Sequence, residues 1–274
     1  MARNWKRWIG NVSEATNNGH LVTSRFIIVS CLILGALLLY LLPVIAEPIG
    51  PVVSPVGNST KVTPTNESRN ESQGGGYIYT INLAGDEQNP RWKAYVGNVS
   101  GSLKLDDADG FTFYNWDLGT LTGEVYATRS SSVINWSGMN CTWGWTTNNT
   151  NRTAEIYENT ALSHTRLDNI TATFSGTTHP EFDVGTATID ANSCYAFLPY
   201  VNDSSQTATQ LFAETILYDG TNATNGNIVY ATQVEDTVYG YRNGSMYDFQ
   251  LIVPEVGTYT WTRSTAYYFY VELE

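Results

Sequence analysis

Twenty-one consecutive residues, Phe26 to Ala46 (FIIVSCLILGALLLYLLPVIA), carry no charge. At about 1.5 Å of rise per residue, such a run reaches the roughly 30 Å of a bilayer's hydrocarbon core. It predicts one transmembrane helix that divides the chain into two sides. Residues 1–25 hold Arg3, Lys6, Arg7 and Arg25 against Glu14 alone, while the remainder carries the other ten of the fourteen basic residues and twenty-five of the twenty-six acidic ones. Lys and Arg beside a span stay in the cytoplasm, so this asymmetry predicts a cytoplasmic N-terminus and an exported C-terminal body. A competing reading makes the run a signal peptide cut after Val44-Ile45-Ala46, which would secrete the rest. The twenty-five-residue flank and the length of the apolar core favour the retained signal-anchor. Cys31 sits near the start of the run rather than at its end and reads as a buried apolar residue, not a lipidation site.

The N-terminal tail places Trp5 and Trp8 among basic residues, a composition suited to the headgroup region of the inner leaflet. Beyond the span, residues 47–76 collect Pro48, Pro51, Pro55 and Pro64, then Asn, Ser and Glu, then Gly74-Gly75-Gly76. Without apolar periodicity this stretch has little surface to bury against its ordering entropy, and it predicts an extended, disordered tether. The acidic balance of the exported part argues against nucleic acid, whose phosphates need a basic face. It suits a soluble, mutually repelling surface.

From Tyr77 the pattern changes to period two: Tyr77, Tyr79, Ile81 and Leu83 share one face of a predicted strand. Runs at 92–96, 102–105, 111–116 and 122–128 follow at short intervals, with Gly or Asp between them. The middle is irregular apart from a short helix over 154–162. Further strands are expected at 214–218, 228–234, 238–242, 246–253 and 266–273, with Asn243-Gly244 as a strong hairpin turn and Asp219-Gly220 as a weaker one. The last strand is apolar on both faces, which places it centrally in a sheet or docked under another element. The expected fold class is therefore all-β: a β-sandwich of one or two Greek-key or meander units over residues 77–274, preceded by a single transmembrane helix and the tether.

The most specific chemical signal is N-glycosylation. Of the twenty asparagines beyond Ala46, twelve begin Asn-X-Ser/Thr: Asn58, Asn66, Asn70, Asn98, Asn135, Asn140, Asn148, Asn151, Asn169, Asn202, Asn222 and Asn243. Chance would supply roughly four, and each modified site must face solvent. Asn11 also starts a sequon but lies on the cytoplasmic side and is expected to stay bare. Cys141 and Cys194 are the only cysteines after the span, and in an exported domain an even pair reads as a disulfide. Asp106, Asp107 and Asp109, with Gly110, offer a candidate calcium site, although the later acidic ligand of an EF-hand loop is missing and an acidic hairpin turn is the plainer reading. No other cofactor is expected, since His164 and His179 lack neighbours at metal-ligand spacing.

No nucleophile elbow, zinc-protease helix or phosphate loop is present, so no catalytic residue is expected. A carboxylate pair for sugar hydrolysis leaves no linear signature, which keeps a glycosidase among the alternatives. Aromatics on alternating strand positions read as core before they read as a sugar-binding platform. The stretches 92–101, 114–116, 122–129, 182–185 and 248–255, with the closing 267–273, resemble an uncharacterised group of exported archaeal cell-surface proteins. The resemblance covers nearly all of residues 77–274 and implies an archaeal envelope setting without an assigned activity. The expected protein is a single-pass, N-glycosylated cell-surface protein with a structural or cell-contact role. Its expected partners are membrane lipid and other envelope proteins or glycans. A filament subunit with a hydrophobic shaft helix and a β head, and a carbohydrate-binding module, are the alternatives from other classes.

Overall fold

A computed structural model describes residues 48–55, 89–117, 120–142, 152–221, 227–256 and 264–273 of the 274. The chain divides into two units, Met1–Ile45 and Ala46–Glu274, and every described residue belongs to the second. The expected span over 26–46, the strand over 77–83 and most of the tether lie outside the described residues. Among the described residues no helix is long and apolar enough to cross a membrane.

The second unit is mostly strand, arranged in antiparallel sheets with little helix. In chain order it forms β1 (Trp92–Gly97), β2 (Ser102–Asp106), β3 (Thr112–Asp117), β4 (Gly123–Thr128), a 3-10 turn (Trp136–Gly138) and β5 (Asn140–Cys141). The helices α1 (Thr153–Ala161) and α2 (Ile170–Thr173) follow, then β6 (Phe182–Val184), β7 (Ala187–Ile189) and β8 (Ala196–Phe197). β9 (Glu214–Tyr218), β10 (Ile228–Gln233), β11 (Phe249–Pro254) and β12 (Tyr268–Leu273) complete it. The main sheet has six strands in the order β12-β4-β10-β9-β5, with β8 also on β9; β1–β11, β2–β3 and β6–β7 are separate pairs.

Both faces of the main sheet are covered, which is why β4 and β10 are apolar or uncharged at almost every position instead of alternating. Successive side chains leave a strand on opposite sides. Tyr126, Leu217, Val229 and Ala231 therefore pack with Trp136, Met139, Phe182, Val184 and Ile189 on one face. Ala127, Ile216, Ile228 and Tyr230 pack on the other with Ala154, Ile170 and Phe174 from the helices and Leu251 and Val253 of β11. The start of β1 is fixed beside α2: Arg91 pairs with Asp168 at 2.9 Å, and the Trp92 indole donates to the Asp168 carbonyl.

The two cysteines form the expected disulfide, and its position explains its use. β5 pairs with the C-terminal half of β9 (Cys141 opposite Leu217), and β8 pairs with the N-terminal half (Ala196 opposite Thr215). Neither two-residue strand offers much pairing alone. The Cys141–Cys194 bond, with Cα atoms 5.0 Å apart, ties together the two pieces that share this edge.

Three sequence expectations need correction. The expected strand over 238–242 is reduced to one bridge, Tyr239 opposite Met246. Two backbone bonds to the following segment form, from the Gly240 amide to Ser245 and from the Tyr247 amide to Val238, but other groups pair elsewhere: the Asn202 and Asp203 amides donate to Gly240 and Tyr241, and the Tyr241 amide donates to the Gln250 side chain. The Asn243-Gly244 turn closes from the Ser245 amide to the Arg242 carbonyl, but only Gly244 has positive φ (80°), so it is not the turn with two positive φ values that the dipeptide suggested. The last strand, β12, is at the edge of the sheet, next to β4, so of its two expected placements the central one does not hold, while Phe269, Tyr270 and Val271 pack under neighbouring elements. It is apolar on both sides because both faces of the sheet are covered, not because its position is central. Ile49, from the segment expected to be a tether, bridges its outer edge through two backbone hydrogen bonds with Val271 of 2.9 and 2.8 Å. The helix expected over 154–162 is present within one residue at each end.

Candidate functional site

β2 and β3 form a hairpin that, among the described residues, pairs with no other strand. It is rooted in a small apolar cluster: Val99 before it and Leu121 after it pack against Val125, Val234 and Val271. The Val99 amide donates to the Asp248 carboxylate at 2.7 Å, and the Asp248 amide donates back to Gly97 at 2.9 Å. From this root the strands project as an arm. Ser102 faces Asp117, Lys104 faces Asn115 and Leu105 faces Tyr114, with the register shifting between Leu105 and Asp106.

The arm's large side chains face solvent. Phe111 is 72% exposed, Phe113 66%, Tyr114 61% and Trp116 51%, whereas Tyr126 and Tyr230 in the main sheet are fully buried. Tyr114 and Trp116, two residues apart, lie on the same face as Leu105, and their rings are 5.5 Å apart and inclined by 21°. With about 200 Å² per aromatic side chain, the four rings expose roughly 500 Å². Tyr114 and Trp116 share one side of the hairpin and Phe113 stands on the other, so both sides of the arm present aromatic surface, and exposed apolar surface of this kind marks contact sites. An isolated two-stranded hairpin also gains little stability in water, so an arm of this composition is better suited to a covered state than to a bare one.

The three candidate calcium ligands sit at the tip of the same arm, where the Asp107 side chain closes the turn. One oxygen of Asp107 accepts the Asp109 amide at 3.0 Å and the Phe111 amide at 2.8 Å, and the Asp107 backbone closes the turn with Gly110 and Phe111. Among the described residues no group of three His, Cys, Asp or Glu side chains is placed to hold a metal ion.

Six of the twelve sequon asparagines are described. Asn98, Asn135, Asn140, Asn202 and Asn243 are exposed and Asn169 is half-buried; the others lie outside the described residues. Asn169 caps α2, its side-chain oxygen accepting the Ala172 amide at 2.9 Å, which leaves the amide nitrogen available. At Asn140 that nitrogen donates to the Gly138 carbonyl at 2.9 Å. No sequon falls between Asn98 and Asn135, so the whole arm is free of them.

Elsewhere the polar groups serve the fold. A cavity of about 120 Å³ lies beside Arg129, Tyr157 and Glu158. It is small for a ligand pocket, and the Arg129 guanidinium meets the Glu158 carboxylate at 2.6 Å through both oxygens. Arg152 holds Glu155, donates to the carbonyls of Thr171 and Phe174, and lies 3.6 Å over the Tyr195 ring. His179 uses both ring nitrogens, one with the Pro180 carbonyl and one accepting the Cys194 amide at 2.9 Å; burial holds its pKa, and that of His164, below the usual range. The exposed aromatics of the arm were missed by sequence reasoning because alternation alone assigned them to core. The available signal was the combination of four aromatics with no sequon. No protein-family model, curated protein or solved structure matches this chain.

Proposed function

We propose that this is a single-pass, N-glycosylated protein of the cell envelope, in an archaeal setting, that makes contacts through the β2–β3 arm. Phe26 to Ala46 is the anchor, the N-terminus is cytoplasmic, and the exported body is a β-sandwich in which the β1–β11 pair covers one face of the main sheet. The observation that carries this reading is the arm itself: an exposed aromatic hairpin in a stretch with no sequon, on a chain otherwise dense with them. None of the described sequon asparagines is buried, and the disulfide suits an oxidising compartment. Trypsin treatment of intact cells followed by mass spectrometry tests it. Release of peptides from residues 89–274, with glycan mass on the sequon asparagines, is the expected result. Peptides protected until lysis and bare asparagines would refute it.

One observation favours a second reading, a carbohydrate-binding module: Tyr114 and Trp116 present two nearly parallel rings to solvent. A glycan array probed with the wild-type protein and a Trp116→Ala variant separates the two, since a sugar platform loses its signal when the ring is removed.

A further inference from the structure

We infer that β3 is an edge-to-edge contact for β3 of a second copy of this chain, the two strands running antiparallel across a two-fold axis at Asn115. This rests on the reading of the arm as the contact organ and names its partner. β3 pairs with β2 along one side, and no strand lies along its other side among the described residues. All six of its residues are exposed. A free strand edge is a row of unpaired amides and carbonyls that templates pairing with another strand. A second copy supplies the matching row.

The sequence of β3 selects a register. With Asn115 opposite the partner's Asn115, Tyr114 lies opposite the partner's Trp116 and Trp116 opposite the partner's Tyr114. Directly opposed residues in an antiparallel pair share a face, so four rings, flanked by Leu105 of each chain, line one side of a four-stranded sheet. Shifting the axis to Tyr114 sets Trp116 against the partner's Thr112 and replaces the two Tyr–Trp pairs by a single Tyr114–Tyr114 pair. An axis between Tyr114 and Asn115 opposes Phe113 to the partner's Trp116 and divides the rings between the two sides.

Charge also favours the antiparallel arrangement. The chain is acidic, with net charge −12, and each arm ends in Asp106, Asp107 and Asp109. At about 3.4 Å per residue the two tips lie roughly 35 Å apart on opposite sides of the axis. That distance is several times the Debye length of about 10 Å, so their repulsion is screened. A parallel pairing would place the six carboxylates together. The four rings on the shared side offer roughly 450 Å² of exposed aromatic surface, below the size of stable specific contacts, and the contact is therefore transient between free copies. Confinement to one membrane raises the effective concentration enough to populate it.

The test is a self-crosslink in full-length protein in cell membranes, in a Cys31→Ser background. Opposed residues across the axis have Cα atoms about 4.5–5.5 Å apart, within disulfide range. Asn115→Cys is therefore expected to give a covalent dimer on non-reducing gels, Asp109→Cys at the tip to stay monomeric, and Trp116→Lys added to Asn115→Cys to abolish the dimer. An intact Cys141–Cys194 bond in each variant, read by peptide mapping, shows that the body has folded. Monomeric Asn115→Cys with that bond intact, or equal crosslinking at Asp109→Cys, overturns the inference. If cell contact still requires Trp116 when Asn115→Cys stays monomeric, the arm remains a contact organ and only the second copy as its partner is refuted. Trypsin protection of the body together with a dimer would refute surface display instead.

Discussion

Replacing Glu214 with glutamine isolates one proton in the stability of this fold. Glu214 begins β9 and is 1% exposed; one carboxylate oxygen accepts the Ile252 amide at 2.8 Å, and the other has no hydrogen-bond partner. Burial pushes its pKa well above the usual carboxylate range, so the folded protein holds the proton to higher pH than the unfolded chain does. Where the folded state binds one more proton than the unfolded state, stability falls as pH rises. The slope is about 1.4 kcal/mol per pH unit, starting near the unfolded carboxylate pKa of about 4.3 and ending at the elevated folded value. The Glu214→Gln side chain would keep an acceptor for the Ile252 amide and carry no titrating proton. From about pH 5.5 upward the variant is expected to gain on wild type along that slope until the folded carboxyl ionises. Glu155 and Glu235, also raised by burial, are present in both proteins and cancel in the difference. Urea unfolding of the detergent-solubilised full chain, followed by tryptophan fluorescence across that pH range, measures it. Parallel pH profiles for the two proteins would refute the reasoning, because they would mean that Glu214 is already ionised in the fold.

Removing the disulfide with Cys141→Ala and Cys194→Ala opens a loop of 53-residue separation and is expected to cost about 4 kcal/mol, read as a lower denaturant midpoint. Gly123→Ala is expected to destabilise by at least about 2 kcal/mol in the same assay: Gly123 has φ of 128°, and a Cβ there would press into the Glu272 backbone on the neighbouring strand, which the β4–β12 pairing holds in place. Asn169→Asp is expected to remove one glycan mass while keeping the α2 cap, so stability changes little, whereas Asn169→Ala loses glycan and cap together, costing about 1 kcal/mol more; intact mass and thermal melting distinguish them.

Much of the strand order was legible because period-two alternation and turn residues are local. β9 matches its expected bounds, and β1, β2, β3, β4, β10 and β12 fall within one or two residues of theirs. Asp219-Gly220 opens the connection from β9 to β10 but is not itself a two-residue turn, since β10 starts only at Ile228; Asp219 is buried and accepts the Thr221 and Asn227 amides at 3.2 Å each. The failures have a common cause. The strand expected over 238–242 had suitable residues, but Asn202, Asp203 and Gln250, all outside that stretch, took the bonds at Gly240 and Tyr241 that would have extended its ladder. Likewise Ile49 has no local signal for pairing with Val271, which is more than two hundred residues later.

The sequence alone determined where most of the longer strands run, which two cysteines are free to join, and which asparagines begin sequons, since each follows from neighbours along the chain. Only the tertiary structure decided which aromatic residues form the core. Tyr126 and Tyr230 disappear between layers, while Tyr114 and Trp116, on strands of the same alternating kind, stand in water. Alternation fixes which side chains share a face. Whether another layer covers that face depends on how distant segments pack, and β2 and β3 project from a root where, among the described residues, no other strand joins them.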